Sequence, residues 1–303
     1  MFAELSKKLV HEVFDRQKRI ADVGLELEVE GLGLPGTVPH WQAKPEGSLQ
    51  DGLEYITKPI KEDAVETYVN TLAKVIADTG AHLKPSYRCS THVHVNVANI
   101  LLSDALGFAV VFTMFEPLLL TLCGNQRNGN LFCMSTYDTG DIFHSFETLL
   151  SQLDGIKYRG FGYERGKYSA LNFGRLADLN TMEVRCFPLS LDGATVKKWV
   201  SWLMAMRDLA VAEPDKTYRE LWKKVRQNPV WYAQKMFGLD AYQVPNATSL
   251  IDLGTETAYE LTKVLKRWHT KPTEEKSGKK LFGKKADYMI LDDVEPSAEG
   301  SSW

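Results

Sequence analysis

Apolar and acidic residues alternate strictly in Val23-Gly24-Leu25-Glu26-Leu27-Glu28-Val29-Glu30. A period of two places successive side chains on opposite faces of a strand. Cys89 to Val97 alternates in the same way, and Gly52 to Ile56 reads as a shorter strand stopped by Pro59. Further extended stretches fall near 37–44, 169–174 and 181–187, the last two joined by a turn around Asp178 to Asn180. Helical spacing appears elsewhere. Residues 2–20 carry Phe2, Leu5, Leu9, Val13 and Phe14 on one stripe, and 61–79 carry Val65, Tyr68, Val69, Leu72, Val75 and Ile76. Helices are also predicted over 103–123, 142–153, 192–212, 217–227, 229–236 and 254–269.

The alternation decides the fold class. Strands of a parallel sheet, covered on both faces, are almost continuously apolar. These are apolar on one side only, so the pattern predicts an α+β fold: a mostly antiparallel sheet with helices packed on one face and the polar face open. The segment 124–168, rich in Gly, Asn, Arg and Tyr, has the composition of a binding loop. From Lys271 the chain is dominated by Lys, Glu, Asp, Ser and Gly around a short apolar island, Tyr288 to Leu291. The organisation predicted is one folded region over 1–270 and a flexible charged tail over 271–303.

Composition narrows the function more than the fold. The 303 residues include 36 Lys and Arg against 39 Asp and Glu, a net charge of -3. That balance gives no general electrostatic grip on nucleic acid or an anionic membrane. The longest apolar run, Ala105 to Cys123, is interrupted by Glu116 and Pro117 and reads as a buried helix. Charges at Glu4, Lys7 and Lys8 do not fit a secretory signal, so a cytoplasmic protein is expected. The four cysteines form no C-x-x-C pair and read as free thiols.

Two phosphate-loop patterns fail. Gly31-Leu32-Gly33-Leu34-Pro35-Gly36 follows a strand, but Pro35 and Pro39 prevent the helix that a dinucleotide fingerprint needs. Gly160 to Lys167 lacks the first glycine of a Walker A loop and has Tyr168 where Ser or Thr is required.

One constellation survives. Glu26, Glu28 and Glu30 share one face of the first strand, and His92, His94 and Asn96 one face of another. Glu183 and Arg185 share one face of a third, and Glu54 lies on a fourth. Alone, each is an ordinary solvated face or cross-strand charge pair. Together, with their apolar faces on the helices, they would line one concave surface. Carboxylates crowded there repel one another unless cations neutralise them. Hard divalent ions suit such oxygen donors, and imidazole is an acceptable further ligand, more so for Mn²⁺.

Five segments in order complete the pattern: Gly24-Leu25-Glu26-Leu27-Glu28; Gly47-Ser48-Leu49 through Gly52-Leu53-Glu54-Tyr55-Ile56; Cys89-x-x-His92-Val93-His94; Lys167-Tyr168-x-x-Leu171-Asn172; and Thr181-Met182-Glu183-Val184-Arg185. This series resembles the amidoligases of bacteria and their phages, relatives of glutamine synthetase and glutamate–cysteine ligase. The resemblance implies a curved antiparallel sheet like the glutamine synthetase catalytic domain, over residues 1–270. It implies ATP-dependent joining of a carboxylate to an amine through an acyl phosphate. Carried over position by position, it makes Glu26, Glu28, Glu54, His92 and Glu183 ligands of Mg²⁺ or Mn²⁺. It makes His94 and Arg185 catalytic groups at the phosphate. Beyond the carried-over positions, the loop residues Arg127, Arg159, Arg165 and Lys167 are candidates for further phosphate or carboxylate contacts, Arg165 and Lys167 to ATP and Arg127 to substrate, and Asn172 either positions substrate or caps a turn.

The expected partners are small-molecule, amino-acid or peptide carboxylates and amines, in a bacterial cytoplasm or that of a phage host. Nucleic acid and membrane are not expected, and oligomeric state is left open. Two other readings use the same residues: a silent binding or virion-associated protein keeping the fold, and a metal-dependent phosphohydrolase.

Overall fold

The computed structural model describes residues 2–124, 126–136, 141–153, 168–212, 217–238 and 244–270. The tail expected over 271–303 lies outside the described residues, as do Arg159, Arg165 and Lys167.

The alternating segments form the strands expected of them. β1 is Val23–Leu32, β2 Thr37–Val38, β3 Trp41–Pro45, β4 Gly52–Thr57, β5 His82–Leu83, β6 Ser90–Asn96, β7 Leu171–Asn172 and β8 Thr181–Pro188. They pair in the order β2-β3-β4-β1-β6-β8-β7, with β5 added to β1, and every ladder is antiparallel. The sheet does not close. The fold is therefore α+β, as the one-sided alternation predicts. Gly31 to Gly36 makes the β1–β2 turn, with Gly33 at a φ of 74°, and opens no helix.

Helices cover the apolar face. In chain order they are α1 (Phe2–Leu5), α2 (Val10–Val13), α3 (Val65–Asp78), α4 (Leu102–Leu122), α5 (Asp141–Leu153), α6 (Leu176–Leu179), α7 (Gly193–Val211), α8 (Tyr218–Gln227), α9 (Pro229–Phe237) and α10 (Ala247–Thr270). Leu25, Leu27 and Val29 of β1 and Val93 and Val95 of β6 share one core with Phe108, Phe112 and Phe115 of α4. Asp192 caps α7 by accepting from Thr195 N at 3.1 Å, and Thr217 and Glu220 form a capping box on α8.

α4 is apolar all round because it is central. By length and composition it could cross a membrane, yet 89% of its apolar window is buried inside the protein. Pro117 removes the N–H that would reach the Thr113 carbonyl. Gly254 of α10 packs against that carbonyl and the next, and a Cβ there would collide with Met114 O. The glycine is what lets the two helices cross so closely.

Two expectations need correction. The helix over 2–20 is two single turns, α1 and α2, because the chain between them leaves the helix to pair. Leu9 bridges Leu101, and Val10 N donates to Ile100 O at 3.0 Å. The turn before β8 contains the helix α6, ended by Asn180 in the left-handed region at a φ of 53°.

Candidate active site

The ladder registers assemble the polar face. Glu26 stands opposite His92, Glu28 opposite Glu54, His94 opposite Glu183 and Asn172 opposite Glu183. All five sequence-predicted metal ligands therefore meet on one surface. A bulge completes it. Thr91 pairs Phe187 and Val93 pairs Val184, so Arg185 and Cys186 together oppose the single His92. The extra residue keeps Glu183 and Arg185 on the polar face while Phe187 turns into the core, stacking on Trp199 at 4.8 Å.

The face is polar but not open, against the sequence expectation. Glu28, Glu54, His92, His94, Glu183 and Arg185 are all buried, and Glu26 is the more accessible member. Their charges bury one another.

His92 is the hub. Its Nδ1 lies 3.5 Å from Glu26 Oε2 and 3.6 Å from Glu183 Oε1, with no hydrogen-bond partner among the described residues. Its Nε2 is 2.6 Å from Ser90 Oγ, and that hydroxyl donates to Glu28 Oε2. In the neutral ring, Nε2 then carries the proton and Nδ1 presents a lone pair to two carboxylates. With the ring neutral, three lone-pair donors face one another, an arrangement that either a proton on Nδ1 or a metal cation stabilises. One ligand atom from each of Glu26, His92 and Glu183 lies within 4.8 Å of the others, and the same holds for Glu28, Glu54 and His92.

Electrostatics follow from this crowding. Burial opposes ionisation of Glu26, but His92 and His94 outweigh it and hold its carboxyl well below the usual range. Burial likewise opposes ionisation of Glu183, and Arg185, His92 and His94 outweigh it. Glu54 goes the other way. Burial and the Glu26 charge raise its pKa despite Lys44 Nζ at 2.7 Å, whereas Lys44, itself half-exposed, is raised by that contact. The contact favours both charges, but for Glu54 it does not offset burial and the Glu26 charge. His94 is raised because Glu26, 3.1 Å from Nε2, outweighs burial.

The other predicted residues divide. Asn172 Nδ2 donates to Glu183 Oε2 at 2.8 Å, so it orients a carboxylate. Arg185 pairs with Glu183 and its Nε is without a hydrogen bond among the described residues. Arg127 is not on this face. Only 1% exposed, it donates to the carbonyls of Cys186, Tyr87, Cys89 and Arg185, two of which belong to the bulge. Glu30 accepts from Gln50 N at 2.7 Å and holds the turn before β4.

A cavity of about 340 Å³ opens over the acids, bounded also by Lys44, Phe132, Tyr168 and Arg175. Sequence reading missed Lys44, Arg175 and Ser90. Ser90 was available to it, since it lies two residues before His92 on the same strand face.

Residues 41–207 match the model of a family described as "putative amidoligase enzyme". That range runs from β3 into α7 and carries Glu54, His92, His94, Glu183 and Arg185. No curated protein matches the chain.

Proposed function

The chain belongs to the amidoligase family, and on that premise we propose that it is an ATP-dependent ligase joining a carboxylate to an amine through an acyl phosphate. The acids and amines are small molecules, amino acids or peptides. The sheet would be of the glutamine synthetase catalytic kind, with the polar face as its concave floor. The observation that carries the reading is the lone-pair triad of Glu26, His92 and Glu183. It would hold Mg²⁺ or Mn²⁺, with Glu28 and Glu54 donating to a second ion, and such ions would neutralise the phosphates of ATP.

The rest of the chemistry falls to the chain. A substrate carboxylate oxygen takes the γ-phosphoryl group and ADP leaves. The amine then attacks the acyl carbon, phosphate leaves, and a proton is lost. Arg185, held by Glu183 at the cavity floor, would contact the transferring phosphoryl group with the donors Glu183 does not occupy. His94, beside Glu26, would donate to the same group. Asn172 keeps Glu183 in one orientation, and Ser90 does so for Glu28 and His92. Phe132 and Tyr168, edge to face with centroids 6.1 Å apart, give the cavity an aromatic wall suited to a nucleotide base.

The test is amine-dependent release of ADP. Glu183→Gln keeps the shape and removes the charge, and should lower turnover at least about 100-fold, or ~2.7 kcal/mol. Activity within about tenfold of wild type would remove Glu183 from the site. ADP released equally without any amine would favour the phosphohydrolase.

A further inference from the structure

A second, smaller cavity adjoins the acidic one. It holds about 210 Å³, below the roughly 300–1,000 Å³ of sites for drug-sized ligands. Its walls are mainly apolar, from Ile56, Pro59 and Leu179 among others, and its polar lining includes Arg19, Asn96 and the Glu26–His94 pair. Glu26 lines both cavities, so the small one abuts the proposed reaction centre.

Two features show that this space is built. The first is Gly24, opposite His94 in the β1–β6 ladder and therefore on the polar face. A Cβ there would stand 3.6 Å from His94 Cβ, an ordinary contact, and Gly24 is not among the residues with positive φ. Neither backbone nor packing demands glycine. What its missing side chain leaves is room in the cavity. The second is the anchoring of Arg19. Asn96 Nδ2 donates to the carbonyls of Arg19 and Ala21, and Asn99 Nδ2 donates to that of Arg19. The segment before β1 is thus tied over the sheet. The Arg19 guanidinium, half-buried at the cavity, has no hydrogen bond or ion pair among the described residues.

An unpaired guanidinium, a carboxylate and apolar walls lining one small cavity match a zwitterion of small size. We propose that this cavity is the site of the amine substrate, a small free amino acid. Its carboxylate pairs with Arg19, its aliphatic group lies against Ile56 and Leu179, and its amine points to Glu26 and His94. The proposal rests on the ligase reading, and it names the substrate class and the side from which the amine approaches.

Titration calorimetry tests it on the full chain with glycine, L-alanine, L-serine and L-valine, each with and without Mg²⁺ and a non-hydrolysable ATP analogue. Ethylamine and isobutylamine, the decarboxylated forms of alanine and valine, serve as controls. Wild type should bind at least one of the amino acids. Arg19→Ala should weaken that binding tenfold or more and leave the matching amine unchanged. Gly24→Val, which fills the cavity from its floor, should abolish it, with circular dichroism confirming the fold. No amino acid binding to wild type would overturn the proposal, as would equal weakening of amino acid and amine by Arg19→Ala. A thermal shift with Mg²⁺ and the analogue, read on the same wild-type sample, separates the two readings. Its absence counts against the ligase, whereas missing amino acid binding in its presence counts only against this pocket.

Discussion

Two groups of buried charges flank β8, and they handle the same physical problem in opposite ways. Behind the sheet, Glu116 of α4 is 1% exposed. Its oxygens accept from Thr136 N at 3.0 and 3.1 Å and from the Thr136 hydroxyl. Nearby, Arg127 gives its guanidinium to four backbone carbonyls. On the polar face, Glu183 and His92 are equally buried, yet among the described residues His92 Nδ1 has carboxylate oxygens near it and no hydrogen-bond partner. Burial does not distinguish the groups. Saturation does: a buried charge serving structure is matched by protein donors or acceptors, whereas this face keeps lone pairs directed at a common space. The same contrast separates Arg127 from Arg185, one locked to carbonyls and the other with its Nε at a cavity and unbonded among the described residues.

Breaking the saturated group should cost the most stability. Arg127→Met keeps much of the side-chain volume and leaves four carbonyls, two of them in the bulge, without their donor. Each such loss costs about 1–3 kcal/mol, and partial relaxation should hold the total near 3–5 kcal/mol in urea unfolding. A loss below about 1 kcal/mol would show that Arg127 is not a clamp. The next largest effect sharpens the contrast directly. Glu116→Gln exchanges charge-assisted hydrogen bonds for weaker neutral ones and should cost about 2 kcal/mol. Glu54→Gln, on the face where burial and Glu26 already disfavour the charge, should leave the metal-free melting temperature unchanged or raise it by about 2 °C. If both variants lose stability alike, saturation does not separate structural from functional acids here.

Period-two alternation revealed both the fold class and most of this face, because it determines which residues share a side of a strand before any pairing is known. Glu26 with Glu28, His92 with His94 and Glu183 with Arg185 were legible for that reason. Three things were not. The bulge opposite His92 depends on how β6 and β8 pair, which neither strand encodes alone. Arg127 looked like a substrate contact because a loop arginine in a Gly- and Asn-rich segment carries no mark of its burial. Arg19 and Lys44 sit outside the alternating motifs, and they reach the face only through the tied segment before β1 and the β3–β4 ladder. The helix stripe at 2–20 misled because local periodicity cannot register that Leu9 pairs with Leu101 ninety-two positions away.

The last effect concerns acidity. Glu26 and Glu183 have lowered pKa values in the folded chain. Their contribution is therefore present above the ordinary value of 4.5 and is lost as pH falls through the lowered ones. His94 is raised above 6.5, so its contribution is complete below that value and is lost as pH rises through the raised one. Both are whole only between about pH 5 and 6.5, whereas Glu54, raised in the fold, costs stability as pH rises above its ordinary value of 4.5. Metal-free protein should therefore melt highest in that window and lose a few degrees by pH 8–9. His94→Gln should lower the maximum and flatten the alkaline decline. Millimolar Mg²⁺ with ATP should also flatten it, since divalent charge then does for the carboxylates what the imidazolium did. Scanning calorimetry in chelator and in Mg²⁺–ATP decides this. A metal-free curve flat from pH 6 to 9, or one that Mg²⁺–ATP leaves unaltered, would mean that the acids of this face do not depend on cations for their stability, and the contrast with Glu116 would lose its physical basis.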